Sequence, residues 1–175
     1  MILGERVRLR LLEKSDLERV AYWRNEPRVA SQFFGCWPFA VSEQETWYAG
    51  YVKDATQRMW IVETAQGAAI GTLALVNIDH HNQNAELGRV LIGDQNHLGA
   101  ECAAEAVRLL VDFAFCEANL HRIEVRVLCG NEAALALYGG CGFLEEGRLR
   151  EAVWKRGGFQ DIVIMAKIRE DGDLD

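Results

Sequence analysis

The sequence predicts a mixed α/β domain of the α+β kind, and three observations carry that prediction. Short stretches with period-two alternation recur along the chain, residues 99 to 118 carry apolar side chains at helical spacing, and glycine- or asparagine-containing turns separate the segments. At 175 residues with 50% hydrophobic content the chain suits one ordinary domain and is too short for two. No repeat, low-complexity tract or linker divides it, so residues 1–175 are expected to form a single domain.

The elements follow in order. Residues 6–12, RVRLRLL, alternate arginine outward with Val7, Leu9 and Leu11 inward, the period of a half-buried strand. Ser15 and Glu18 in SDLE make a capping box for a helix that runs through Trp23 and stops near Pro27; SEQE at 42–45 repeats the pattern before a helix carrying Trp47, Tyr48, Tyr51 and Val52. The connection between them, PRVASQFFGCWPF, is too aromatic for a plain solvent loop and reads either as a lid or substrate wall, or as a small satellite core. RMWIVET, AAIGTLALVNI and NAELGRVLIGD predict three antiparallel strands, with turns at Gly67 and at DHHNQN. A long helix follows, its face built from Ala103, Val107, Leu110, Val111, Ala114 and Ala118. The strand IEVRVL, a short helix in NEAALALYGGCGF and a hairpin around KRGG at 155–158 complete the chain.

Composition excludes several classes. The N-terminus MILGERVRLR has charges where a secretory leader needs an apolar stretch, and no apolar run approaches the roughly 20 residues of a membrane span, so a cytoplasmic protein with no membrane contact is expected. Five cysteines, without a CxxC pair or repeated spacing, predict reduced thiols rather than disulfides or structural zinc. His80 and His81 diverge from one turn and have no third ligand at useful spacing, so no metal is predicted. A net charge of −7 disfavours nucleic acid as a partner and mildly favours cationic substrates.

Two junctions carry candidate chemistry. In IGDQNHLGAECAAE, residues 92–105, a strand passes through a glycine-containing loop into a helix N-terminus, where free backbone N–H groups and the helix dipole favour an anion; Gly99 is equally compatible with an ordinary helix start. No Gly-Lys-Ser/Thr follows, so it is not a Walker loop, and it is not the dinucleotide fingerprint either. In residues 131–143, Asn131 is a plausible N-cap, with Ala134, Leu137 and Tyr138 on one helix face and Gly139, Gly140 and Gly142 closing the helix. Taken alone, Tyr138 reads as a core tyrosine with a satisfied hydroxyl more readily than as a functional one.

Seven segments, in order and over nearly the whole chain, resemble the GNAT superfamily of acetyl-CoA-dependent N-acetyltransferases. They are RLRLLEKSDL, AELG at 85–88, GAECAAEAVRLLVDFAF at 99–115, NLHRIEVRV at 119–127, NEAALALY with the following GF, EEGRLRE at 145–151 and GGFQDIVIMAK at 157–167. The branch they resemble holds ribosomal-protein N-terminal acetyltransferases and spermidine N-acetyltransferases. The resemblance implies the acyl-CoA N-acyltransferase fold, with a central mixed, mostly antiparallel sheet flanked by helices.

It also implies roles for residues. Asn96, His97, Leu98, Gly99, Ala100, Glu101, Cys102 and Ala103 match the loop and helix start that wrap the coenzyme A pyrophosphate. Arg89, Val90, Leu91 and Ile92 match the strand that pairs with the pantetheine arm, and Asn131 matches an asparagine that contacts that arm, with Ala134 and Leu137 beside it. Tyr138 matches the acid that protonates the departing thiolate, and Glu86 a glutamate that accepts the amine proton through water. The loop departs from the family pattern at Glu101, where relatives carry Gly or Ala.

The chemistry is consistent with those roles. A primary amine with a pKa near about 10.4 must lose a proton before it attacks a thioester. A backbone N–H near Val90 suits the developing oxyanion, and direct attack needs none of the cysteines as nucleophile. The expected acceptor is a small-molecule amine, a polyamine or amino sugar, held by Trp23, Glu26, Phe33, Phe34 and Trp37; a protein N-terminus is the alternative, and a non-catalytic coenzyme A sensor is the rival from another class. Oligomeric state is not legible in the residues; the resemblance adds that members are often homodimers.

Overall fold

The computed structural model describes residues 1–35, 37–94 and 100–170. Its chain order is β1 (Ile2–Leu3), β2 (Val7–Leu11), a 3-10 turn (Lys14–Asp16), α1 (Leu17–Asn25), α2 (Pro27–Ala30), α3 (Val41–Tyr51), β3 (Arg58–Thr64), β4 (Ala69–Asp79) and β5 (Asn84–Ile92). It continues with α4 (Ala100–Cys116), β6 (Arg122–Leu128), α5 (Glu132–Gly140), β7 (Leu144–Lys155) and β8 (Gly158–Ile168). The strands form one eight-stranded sheet in the order β1-β2-β3-β4-β5-β6-β8-β7. Every neighbouring pair is antiparallel except β5 and β6, which run parallel.

Both faces of the sheet are covered, which explains the unbroken apolar run MWIV in β3. Trp60 and Val62 turn to one face, where Val107, Leu110, Val111 and Ala114 of α4 pack with Leu9, Leu73, Leu87, Ile123 and Val125. Met59 and Ile61 turn to the other, under Leu17 and Val20 of α1 and Tyr51 of α3. The Tyr51 hydroxyl accepts from the Met59 N–H at 3.1 Å, so α3 is pinned to the strand it covers.

Local starts differ from the sequence reading. The first box forms two residues earlier, between Glu13 and Asp16, because the Asp16 carboxylate accepts from the Glu13 N–H at 2.9 Å and also binds Arg10. Ala40, rather than Ser42, is the N-cap of α3, with Glu43 reaching back to its N–H at 3.0 Å. Leu11 ends its strand facing solvent at 55% exposure and Leu12 takes the buried place at 4%. β1 and α2 were not foreseen. Gly139 and Gly140 lie within α5, and it is Gly142, at φ +87°, that makes the turn.

One ion cluster ties these pieces together. The Arg10 guanidinium donates to both Asp16 oxygens at 2.7 Å and to Glu63 at 2.6 Å, while Arg8 donates to the other Glu63 oxygen at 2.8 Å. Burial alone would raise both carboxylates, but these hydrogen bonds hold Asp16 and Glu63 below the usual carboxylate range. Arg10→Met should therefore cost about 3 kcal/mol in urea unfolding at pH 7, because it strands two buried charges. Depressed pKa values stabilise the fold above the ordinary carboxylate range and that stability is lost as pH falls, so the gap between wild type and variant should narrow toward about pH 3.

Candidate active site

β5 is the spine of the site. Thr72 pairs with Leu91 but Ala74 pairs with Gly88, so β5 carries one residue more than β4 over this interval, a bulge at Arg89 and Val90. Arg89 has φ +53°, and its carbonyl accepts the Thr72 hydroxyl at 2.7 Å. Gly71 is required just beside it, since an added Cβ would lie 2.2 Å from the Leu91 carbonyl oxygen. Beyond the bulge, a Cβ on Gly93 would fall 2.1 Å from the Trp23 indole, so the strand's exit is set against α1.

The bulge turns β5 away from β6. Their parallel pairing covers only Asn84 with Arg122, Ala85 with Ile123 and Glu86 with Glu124. From Leu87 onward the strands separate around a cavity of about 660 Å³. Its walls come from β5, from the end of β6, from α5, from Ala103 of α4 and from Phe33 and Phe34 of the aromatic connection.

Two ionisable groups of different surroundings, Tyr138 and Glu86, line this cavity. Asn131 caps α5, its Oδ1 accepting from the Ala134 N–H at 3.2 Å, and the helix so started brings Ala134, Leu137 and Tyr138 to the cavity wall. The Tyr138 ring is buried and sits edge-on to Phe143 at 5.7 Å. Burial, with a smaller push from Cys141, raises its pKa well above that of a free phenol, so it is neutral at physiological pH and able to donate. Glu86 stands at the last paired rung of β5, its carboxylate 3.4 Å from the Asn77 amide and 3.9 Å from Arg126 Nε. It is partly exposed, and Asp54, Thr56 and Gln57 continue the polar wall beside it.

The remaining expected residues divide. Arg89, Val90, Leu91 and Ile92 line the cavity, as do Ala103 and Asn131. Asn96, His97, Leu98 and Gly99 lie outside the described residues, and Ala100 begins α4. Glu101 does not face the cavity: its side chain is 73% exposed and pairs with Arg6 at 3.0 Å. Cys102 packs against the main core. Among the expected acceptor residues, Phe33 and Phe34 line the cavity, Trp23 is buried with Val29 and Leu91, and Glu26 pairs with Arg28 at 3.1 Å. Trp37, 83% exposed, borders a second pocket. Sequence reading missed Arg28, Asp54, Gln57, Asn77 and Arg126 on the cavity wall and Thr72 beneath it, since only the bulged register brings them to one place.

Comparison with known proteins decides the family. Residues 6–144 match the acetyltransferase (GNAT) domain. The chain belongs to this family and is a GNAT-family N-acetyltransferase. It is 31% identical over 160 residues to the spermidine N(1)-acetyltransferase of Vibrio cholerae, covering 91% of each chain. To that of Escherichia coli K12 it is 30% identical over 159 residues, covering 91% of this chain and 84% of that one. The crystal structure of the Vibrio cholerae enzyme in complex with CoA and spermine superposes with a TM-score of 0.88 at 31% identity, over 94% of this chain and 96% of that one. The same enzyme is also known as a dodecamer, which matches with a TM-score of 0.81. The fold is the GNAT fold, and no helix among the described residues is long and apolar enough to cross a membrane.

If the bulge shapes the cavity, releasing it should be measurable. Thr72→Val keeps the side-chain volume but leaves the Arg89 carbonyl without its donor, which should cost about 1–3 kcal/mol in denaturant unfolding. Acetyl-CoA affinity, followed by calorimetric titration, should fall in the same variant.

Proposed function

We propose that this N-acetyltransferase transfers the acetyl group of acetyl-CoA to the primary amine of a small molecule by direct attack. The observation that carries the reading is the pairing of Glu86 and Tyr138 across one gap between diverging strands. Beyond Glu86, β5 has no β6 partner in the parallel ladder, so one backbone edge is left for an extended, amide-bearing chain such as a pantetheine arm. Ala103 and Ala134 keep the walls around that edge small. The fit is good, and the loop leading into α4 would take the pyrophosphate through backbone amides. When bound, acetyl-CoA supplies an activated acetyl thioester.

The chain's own groups then have separate tasks. The Glu86 carboxylate, held among amide, guanidinium and water-accessible neighbours, takes the proton that an ammonium must lose before it can attack. A backbone N–H in the bulge near Val90 donates to the acyl oxygen as negative charge develops there. Tyr138, kept neutral by its buried wall, delivers a proton to the departing sulfur. The Glu101–Arg6 pair at the surface removes the reason for a non-catalytic sensor, since this carboxylate is engaged away from the cavity.

A small-molecule acceptor is supported by the similarity to the two spermidine N(1)-acetyltransferases and by a partly enclosed cavity with aromatic walls at Phe33 and Phe34. Cytoplasmic placement and a homodimer stay with this reading as the family resemblance implies them. The test is acetyl-CoA consumption over polyamines, amino sugars, amino acids and peptides with free N-termini. A preference for extended peptides over every small amine would overturn the acceptor class.

The catalytic assignment makes two further predictions. Tyr138→Phe should lower kcat by roughly 10²- to 10⁴-fold with little change in KM, whereas a loss confined to KM would make the hydroxyl a binding group. Glu86→Gln should also lower kcat and should move the acid limb of the pH–rate profile upward, toward the intrinsic pKa of the amine. An unmoved acid limb would assign the base elsewhere.

A further inference from the structure

β5 has no β6 rung after Glu86, so the backbone groups at its far end need other partners. The amides find one on β4, where the Gly93 and Asp94 N–H groups both donate to the Ile70 carbonyl, at 2.8 and 3.1 Å. The carbonyls find theirs on α2. Arg28 donates from Nη1 to the Ile92 carbonyl at 3.3 Å and from Nη2 to the Gly93 carbonyl at 3.1 Å, 64 and 65 residues away in sequence. Its buried Nε has no hydrogen-bond partner among the described residues, so the guanidinium engages the strand through its two terminal nitrogens. The Arg58 guanidinium, by contrast, bonds carbonyls of its own turn, at Asp54 and Gln57.

Arg28 works from a seated element. α2 is one turn with Pro27 at its start, and its Val29 packs with Trp23 and Leu91, so its apolar side meets the same strand end. Glu26 pairs with Arg28 Nη2 at 3.1 Å, and the Ser31 hydroxyl donates to the Arg28 carbonyl at 2.8 Å. Lys155 donates to the Ala30 carbonyl at 2.9 Å and to that of Phe33, so the β7–β8 hairpin holds α2 and the aromatic connection from the other side.

The placement bears on the site because Arg28 and Ile92 both line the main cavity, as do Phe33 and Phe34. An extended chain pairs with a strand edge only where carbonyl and N–H groups keep strand spacing, and a strand end without donors for its carbonyls frays. Arg28 supplies those donors. We propose that Arg28 is a positioning residue for the cofactor: its planar fork fixes the end of β5, and with it the backbone edge that pairs with the pantetheine arm. The inference rests on the acetyl-CoA reading above and adds to it a residue that acts through the strand. The segment that walls the cavity with Phe33 and Phe34 then also sets the cofactor edge. Attraction of the cofactor's phosphates and support of the fold alone are the competing roles, and they predict different responses.

The test is calorimetric titration of coenzyme A into wild type, R28M and R28K at about 50 mM and about 500 mM salt, with folding of each checked by urea unfolding. R28M keeps an unbranched apolar stem and loses the donors. It should raise Kd about 10-fold, the scale of one or two hydrogen bonds, and its ratio to wild type should be the same at both salt concentrations. R28K keeps the charge without the planar fork and should recover less than half of that loss. A ratio that shrinks toward one at high salt, or an R28K that binds as wild type does, overturns the proposal in favour of a point charge acting on the phosphates. An unchanged Kd in folded R28M overturns it in favour of support of the fold alone. Both results leave the cofactor reading intact, whereas failure of wild type to bind coenzyme A overturns that reading and this proposal together. The R28K comparison decides by itself should R28M not fold.

Discussion

The rest of the structure depends on one interruption of hydrogen bonding, the departure of β5 from β6 after Glu86. Parallel neighbours continue their ladder unless something bends one of them away. Here the bend is an extra residue in β5 with Arg89 at positive φ, a conformation that costs on the order of 1 kcal/mol or more for a residue with a Cβ. It persists because its surroundings over-determine it. Thr72 holds the Arg89 carbonyl, Gly71 leaves room for the Leu91 carbonyl, and Gly93 leaves room for Trp23. Three contacts from two elements thus keep a single strand out of register, and the cavity follows from that.

The same geometry separates Glu86 and Tyr138 by environment. Glu86 lies at the last paired rung, partly exposed and beside the Asn77 amide. Tyr138 lies in an apolar helix wall where an anion is penalised, so its proton is retained until a basic atom arrives. β5 and α5 thus place a carboxylate and a neutral phenol on the wall of one cavity. The wall on which Tyr138 stands is itself set by Asn131, since capping α5 at that residue decides which side chains the helix turns to the cavity.

Much of this was legible in the chain. β3 occupies the segment RMWIVET expected for it, and β5 and β6 match their runs closely, because burial against a covered sheet leaves a direct mark on sequence. The Asn131 cap was legible for the same reason, as a polar residue just ahead of a helical face. What escaped notice has no local signature. A bulge at Arg89 carries no glycine to announce it, and Leu11 and Leu12 exchange places where the strand ends. The α1 and α3 starts were misplaced because Arg10 and Glu43 decide between competing caps, and Arg10 acts from another strand. Glu101 reads as an intruder in a phosphate loop until Arg6, nearly a hundred residues away in sequence, is seen to take its charge.

Net charge was the weakest guide, and the reason is physical. The chain's −7 is a sum over a surface where screening confines most charges to their own neighbourhoods within about 10 Å. Many of its acids are spent locally: Glu63 and Asp16 on Arg10, Glu146 on Arg122, Glu26 on Arg28. What a ligand meets is what that pairing leaves over, and beside Phe33 it leaves Arg24 and Arg89, neither with a carboxylate partner among the described residues. An acidic protein can in this way keep a cationic recess, and likeness in fold to an enzyme solved with spermine constrains the acetyl-transfer machinery more tightly than it constrains the charge of the acceptor. β5, β6 and α5 supply most of the main cavity's wall, while the connection after α1 and the β7–β8 hairpin supply the second pocket's. Charge in the second can therefore change sign without disturbing the bulge on which the first depends.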